Sequence, residues 1–349
     1  MSMQVALVHT NLTRGGGMEA YLLSLIKGFK QQGDDVTVYA CRVDRQLAAE
    51  LGCTAHQIRP PWPRKIREFR FLHCCNQLPL RQEYDLSIGT ARVCSPHVTV
   101  CGGVHVETIK HIRRTALFRG VYDLFENRFE EKAFREAPYI MAHSGTIARQ
   151  IRDHYAIPAE KIKILYPPID TETFTPMKED DRTEARAALG IDDRQITFLF
   201  VSCGHQRKGL DQLLKAFTVL DPNRYQLLVA GSPIGSGHPT NVRYIGYMNN
   251  LRPVYSAVDF TVLPSYYEPF GLVVPESIQC GTPVIVTQGV GAAELLSAEE
   301  GILLEDNSHE TLVRTMTRLD TGHRIAAGFA QKHGLTIGQH IELIKKAYT

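Results

Sequence analysis

"ITFLFVSCGHQRKGLDQLLKAFTVLDPNRYQLLVAG", residues 196–231, decides the fold. "ITFLFVS" is an apolar strand, "CGHQRKG" a turn, "LDQLLKAFTVL" an amphipathic helix and "YQLLVAG" a second strand. A strand returning in this way through a helix is the unit of a parallel α/β sheet. The alternation continues with "FTVLPS" (260–265), a helix from about 271, "PVIVT" (283–287) and a helix near 291–297.

The chain opens with the same unit. "QVALVH" (4–9) is followed by "TNLTRGGG" and then by "MEAYLLSLIKGFKQQG". There Leu22, Leu25, Ile26 and Phe29 fall at i, i+3, i+4 and i+7 of a helix that Gly33 stops. "DVTVYA" (35–40) is the next strand. Two runs of β/α alternation predict two doubly wound, Rossmann-like domains. Ligands in such sheets bind beyond the carboxyl ends of the strands, so two facing sheets predict a central cleft. Three prolines in "LYPPIDTETFTP" (165–176) forbid continuous helix and mark the linker. The expected division is 1–168 and 169–333, with the tail helix of 334–349 crossing back to the first domain.

A chain of 349 residues is too long for one ordinary core. Its 44% hydrophobic and 22% charged residues are those of a soluble globular protein. No apolar run approaches the ~20 residues of a membrane span, and the first residues lack a secretory signal pattern. The eight cysteines include no CxxC pair and read as reduced thiols, which with the missing signal predicts a cytoplasmic protein without a zinc site. Net charge is +2, but residues 1–120 hold 16 Lys and Arg against 9 Asp and Glu. A basic first third on an acidic remainder suits an anionic partner of one domain, or a solvated face with none.

Three stretches carry candidate chemistry. "RGGGMEAY" (14–21) lies between a strand and a helix start, where Gly16 and Gly17 allow close approach of an anion; a tight turn without a ligand explains it as well. In "CGHQRKG", Arg207 and Lys208 stand beside a helix start, a placement suited to a diphosphate or simply an exposed basic turn. "SYYEPFGLVVPES" (265–277) puts Glu268 in a loop and Glu276 on the next helix, with the amides of Gly271 and Leu272 between them. No Asp-x-Asp or His pair argues for a metal, and a loop acid paired with a helical acid is a poor hydrolase pair. Carboxylates that hold sugar and ribose hydroxyls beside a bound diphosphate fit better.

These elements together resemble glycosyltransferase family four, retaining enzymes of the GT-B fold. The residues that carry the likeness are Glu-x7-Glu in "SYYEPFGLVVPE", the strand "GTPVI", the early "GGMEAY", the turn "RKG" and "LYPPIDTETF". "GHQRKGLDQLLKAF" and "RFEEKAFREAPYIMAHSGTIARQI" look most like lipopolysaccharide core glucosyltransferases. The resemblance implies that Gly16 and Gly17 pack against the diphosphate of a nucleotide-sugar donor. Arg207 and Lys208 then neutralise the leaving diphosphate, Glu268 holds the transferred sugar and Glu276 the ribose diol. The amides of Phe270, Gly271 and Leu272 face sugar and phosphate. His105 in "CGGVHVET" falls near a family histidine that touches sugar or acceptor, or is a core histidine. Two features depart from the pattern: Arg207 and Lys208 adjoin, and Gly103 stands where close relatives carry an acid.

The implied activity is transfer of a hexose, with UDP-glucose or a similar UDP-hexose as donor. Anomeric configuration is retained and no metal or other cofactor takes part. The implied acceptor is a saccharide or glycolipid in cell-surface glycan assembly; a small soluble acceptor, or a nucleotide-sugar epimerase of the same architecture, is the alternative. "WPRKIREFRF" (62–71) and "IKHIRRTALFRGVYDLF" (109–125) interleave cations with rings, a pattern that suits an anionic bilayer such as the cytoplasmic face of an inner membrane, direct binding of a phosphorylated glycolipid, or a surface helix with snorkelling arginines. Neither half has the GxGxxG and later acid of a dinucleotide oxidoreductase, and the near-neutral whole argues against nucleic acid as partner.

Overall fold

The computed structural model describes residues 2–111, 119–321 and 323–348. The chain folds as two compact units, Met1–Pro168 with Gly334–Thr349, and Ile169–His333. Among the described residues the first unit carries seven strands: β1 Gln4–Leu12, β2 Asp35–Val43, β3 Thr54–Gln57, β4 Leu86–Gly89, β5 Val98–Cys101, β6 Tyr139–Ala142 and β7 Ile162–Ile164. The second carries six: β8 Ile196–Ser202, β9 Tyr225–Gly231, β10 Val242–Gly246, β11 Phe260–Leu263, β12 Val284–Thr287 and β13 Gly301–Leu304.

The sheet orders are β3-β2-β1-β4-β5-β6-β7 and β10-β9-β8-β11-β12-β13, with every described pairing parallel. Both are doubly wound Rossmann-like sheets. Strand order reverses at β1/β4 in the first and at β8/β11 in the second, and ligands of such sheets bind beyond those strands' carboxyl ends.

Alternation along β1 shows why helices cover both faces. Val5 and Leu7 enter one core with Leu22, Leu25, Ile26 and Phe29 of helix Gly17–Gln31, while Ala6 and Val8 enter another with Phe71, Leu72 and Cys75. In the second unit Leu199 of β8 and Leu228 of β9 pack with Val254, Tyr255 and Val258. Helix Ile337–Tyr348 returns to the first unit, where Ile341 and Ile344 join the core. Gly28 lets it approach: a Cβ there would lie 2.5 Å from Ile341 Cγ1. At its end Lys345 Nζ pairs with the buried Asp34 carboxylate at 2.5 Å.

The same junction buries two histidines around Tyr21. Tyr21 Oη is 3.0 Å from His340 Nε2, and its ring meets that of His143 edge-on at 4.4 Å. Burial pushes both imidazoles down to about 3 from an ordinary 6.5. The unfolded chain therefore binds protons that the folded one refuses once pH drops below 6.5. Stability from this pair is complete above that pH and falls toward pH 3, by up to about 2.7 kcal/mol per pH unit if both titrate. The imidazole chemical shifts of His143 and His340, read by NMR at pH 7.5, 6 and 5, should stay those of neutral rings; titration near 6.5 would mean that these rings are not held neutral.

Two local elements differ from the sequence reading. "CGHQRKG" contains a one-turn helix, His205–Lys208, before helix Leu210–Val219. Where a helix is expected at 291–297, Gly291–Leu295 form a 3₁₀ turn, and the amides of Gly291 and Ala292 donate to the carbonyls of Glu268 and Phe270, at 2.9 and 2.8 Å.

Candidate active site

Arg207 and Lys208 follow β8, and Glu268 follows β11, so all three lie at the strand reversal of the second sheet. Arg207 Nη1 donates to Glu268 Oε2 at 3.0 Å and to the Tyr267 carbonyl at 2.5 Å. Lys208 Nζ lies 3.6 Å from the same carboxylate oxygen and 3.3 Å from the Val201 carbonyl. Two cations thus share one carboxylate, whose side chain is 12% exposed. That leaves a local excess of positive charge, placed where attraction is weakly screened.

The loop bearing Glu268 is held from both sides. Tyr266 N–H donates to the Arg207 carbonyl at 3.0 Å, and Glu268 N–H to that of Gly289 at 2.7 Å. A Cβ on Gly289 would sit 2.8 Å from the Tyr266 carbonyl oxygen, so the loops meet this closely only with glycine there. Gly271, at φ +92, then turns the chain into helix Val273–Gln279, bringing the Gly271 and Leu272 amides to the helix start.

Glu276 lies on that helix and its Oε2 accepts the Tyr255 hydroxyl at 2.9 Å. The residue as a whole keeps intermediate exposure. Burial lifts its pKa from 4.5 to about 7, against the Tyr255 bond and the Lys208 charge, which pull it down. Lys208 therefore acts electrostatically on both glutamates.

In the first unit Gly16 caps helix Gly17–Gln31 without a side-chain bond. Beneath this turn lies Glu19, whose Oε1 accepts from Asn11 Nδ2 at 3.2 Å. The His9 imidazole, with Nε2 3.9 Å away, does most to hold the Glu19 carboxyl down at about 2. Thr90, beyond β4, fixes His9 Nδ1 at 2.8 Å. An anion arriving at Gly16 and Gly17 meets this resident carboxylate. His105 is buried, with Nε2 3.1 Å from Asp123 Oδ1 and its amide on Glu130 Oε2 at 2.9 Å. Glu130 also takes the Arg92 Nε–H and the Tyr155 hydroxyl. Gly102, just ahead of His105, packs against the Met18 side chain.

Residues 15–173 match the sequence profile of Glycosyltransferase Family 4, and residues 181–324 that of Glycosyl transferases group 1. A probable transglycosylase of Burkholderia thailandensis is 32% identical over 296 residues, covering 84% of this chain and 80% of that protein. The chain belongs to glycosyltransferase family four. A D-inositol 3-phosphate glycosyltransferase of Geodermatophilus obscurus is 27% identical over 91% of this glycosyltransferase and 80% of its own length. Among solved structures, WaaG, a glycosyltransferase involved in lipopolysaccharide biosynthesis, superposes with TM-score 0.75 at 18% identity, covering 99% of this chain and 95% of its own. Anabaena Alr3699/HepE in complex with UDP and glucose does so with TM-score 0.71 at 17% identity and the same coverage. These likenesses show the GT-B fold.

The two basic-aromatic segments of this glycosyltransferase meet in the first unit, except that residues 112–118 lie outside the described residues. Phe69 of helix Arg64–Cys75 packs on Tyr122, Phe125 and Phe129 of helix Arg119–Glu136, with ring centroids 5.5 to 5.7 Å apart. Part of the interleaving is thus inter-helix packing. Trp62, Ile66, Leu124 and Phe125 stay exposed, and Arg70 lies over the Trp62 ring at 5.9 Å. No described helix is long and apolar enough to cross a membrane. Sequence reasoning missed His9 and Tyr255. A polar residue near the end of an apolar strand could have drawn attention to the first; nothing local marks the second.

Proposed function

We propose that this glycosyltransferase moves a hexose from a UDP-sugar, UDP-glucose or a near relative, to a saccharide or glycolipid, with anomeric configuration retained and without a metal. The observation that carries the reading is the pair of cations sharing one carboxylate at the strand reversal. A departing nucleoside diphosphate gathers negative charge in the transition state, and fixed donors aimed at it are worth most where water is scarce. Arg207 and Lys208 take that part, with the amides of Phe270, Gly271 and Leu272 beside the phosphate. Glu268, already oriented by both cations, accepts hydroxyls of the sugar, and Glu276 those of the ribose. Gly16 and Gly17 admit the diphosphate to the backbone, above the Glu19 carboxylate and its His9 neighbour. His105, oriented by Asp123, serves the sugar or acceptor. The departing phosphate takes the acceptor's proton.

UDP as the nucleotide draws support from the liganded HepE structure, and a cell-envelope acceptor from the likeness to WaaG. The exposed Trp62, Ile66 and Phe125 among arginines suit docking at the cytoplasmic face of an anionic membrane, which sedimentation with anionic liposomes at low salt tests. For the donor, the decisive experiment is a thermal-shift panel of nucleotide sugars on wild type and Glu276→Ala. A UDP-sugar should stabilise the wild type, by about 2.7 kcal/mol at a hundredfold excess over Kd, and the variant should lose most of the shift. Equal shifts in both would remove Glu276 from the site. Turnover in EDTA and the anomeric coupling of the product, read by NMR, check the remaining two claims.

A further inference from the structure

Tyr255 has no exposed surface, and its phenol meets Glu276 Oε2 at 2.9 Å. A buried hydroxyl without a partner is costly, so this bond fixes the orientation of both groups. Both are anchored again behind the site, by one residue. Thr282 Oγ1 donates to the Tyr255 carbonyl at 2.6 Å. The Thr282 carbonyl accepts from Ser277 Oγ at 3.0 Å, and Ser277 follows Glu276 on its helix. Arg324 Nη1 closes the set on Thr282 Oγ1 at 2.6 Å. Phe174 backs the Tyr255 ring edge-on at 6.1 Å. The helix carrying Glu276 and the helix carrying Tyr255, Arg252–Ala257, are therefore clamped to the same point. Oε2 of the carboxylate is committed to the phenol, and among the described residues no group hydrogen-bonds Oε1.

We propose that Tyr255 is a positioning residue that sets the preference of this site for ribonucleotides over deoxyribonucleotides. It holds Glu276 so that the free oxygen and the outer lone pair of Oε2 meet a vicinal diol. The inference rests on the reading of Glu276 as the ribose partner. A carboxylate fixed for two hydroxyls loses a charge-assisted bond when one is missing, whereas a carboxylate free to turn recovers part of it.

The test is calorimetric titration of UDP, ADP and GDP, each against its 2′-deoxy counterpart, on wild type, Tyr255→Phe, Glu276→Ala, Glu276→Gln and the Tyr255→Phe/Glu276→Gln double variant. Wild type should prefer the ribonucleotide by about tenfold or more. Tyr255→Phe keeps the ring against Phe174 and removes only the hydroxyl; it should bind UDP about tenfold more weakly and cut the preference to about twofold. Added to Glu276→Gln, it should change the preference no further. Full preference in Tyr255→Phe, with Glu276→Ala still losing binding, overturns the positioning role and leaves the ribose reading standing. A Tyr255→Phe effect that persists undiminished in the Glu276→Gln background also overturns it, since the loss would then come from the fold. Unchanged UDP binding in Glu276→Ala, or no binding of any of the three nucleotides to wild type, removes the ribose reading and the inference with it. Because titration counts only binding-competent molecules, a partly unfolded variant still returns its preference ratio.

Discussion

Arg207→Ala is expected to lower kcat by about 10²- to 10³-fold, the usual loss when one preorganised donor to a developing charge is removed. Arg207 reaches two acceptors with one nitrogen, Glu268 Oε2 and the Tyr267 carbonyl, so it both supplies charge and holds the sugar-binding loop. Lys208 alone, 3.6 Å from Glu268, would balance that carboxylate and leave no surplus for a diphosphate. Arg207→Lys should recover little, because its one nitrogen would replace Nη1 at Glu268 and the Tyr267 carbonyl and leave no second nitrogen for the diphosphate. Rates of nucleoside diphosphate release under saturating donor give the measurement. An Ala variant within about threefold of wild type would show that the guanidinium is a brace for the loop and not a partner of the leaving group.

The candidate site was half legible in the sequence, for a physical reason. Strands β8 and β9 read directly from residues 196–202 and 225–231, because continuous apolar runs between breakers suit a strand buried on both faces. Arg207, Lys208, Glu268 and Glu276 could be picked out because the chain presents them at element ends, where ligands bind in such sheets. The short strands β3 to β7, of three or four residues each, gave no such signal. What sequence cannot carry is coupling across distance. Tyr255 precedes Glu276 by 21 positions, and its hydroxyl matters only because the fold buries it against that carboxyl. Likewise the stretch read as a helix at 291–297 is a 3₁₀ turn whose first amides bond the Glu268 and Phe270 carbonyls, partners more than twenty positions away that no local pattern announces. The basic-aromatic segments teach the converse: a pattern read as one surface divides into rings that pack between helices and rings that remain outside.

Glu276→Gln should separate stability from function. The folded carboxyl titrates near 7 and an unfolded one near 4.5, so between those values the native state holds a proton that the unfolded chain has lost. The stability from this group is complete below pH 4.5 and is lost as pH rises through 7. At pH 8 the ionised carboxylate is a burden of up to about 3 kcal/mol, on the order of 1.4 kcal/mol per pKa unit. Glutamine carries no charge and still accepts the Tyr255 hydroxyl. The variant should therefore be more stable than wild type at pH 8, by about 1–3 kcal/mol, and indistinguishable from it near pH 4.5, in urea melts at both values. Nucleotide binding should move the other way. The diol donates two hydroxyls and is held best by a carboxylate, so wild-type affinity should weaken as pH falls below 7, while the variant binds about 10- to 100-fold more weakly at pH 8 and shows little pH dependence. A group that destabilises the empty protein and strengthens the loaded one is kept for its ligand. If the variant were no more stable than wild type at pH 8 yet still lost the nucleotide, Glu276 would be a binding residue without buried-charge strain, and its ionisation would not govern affinity.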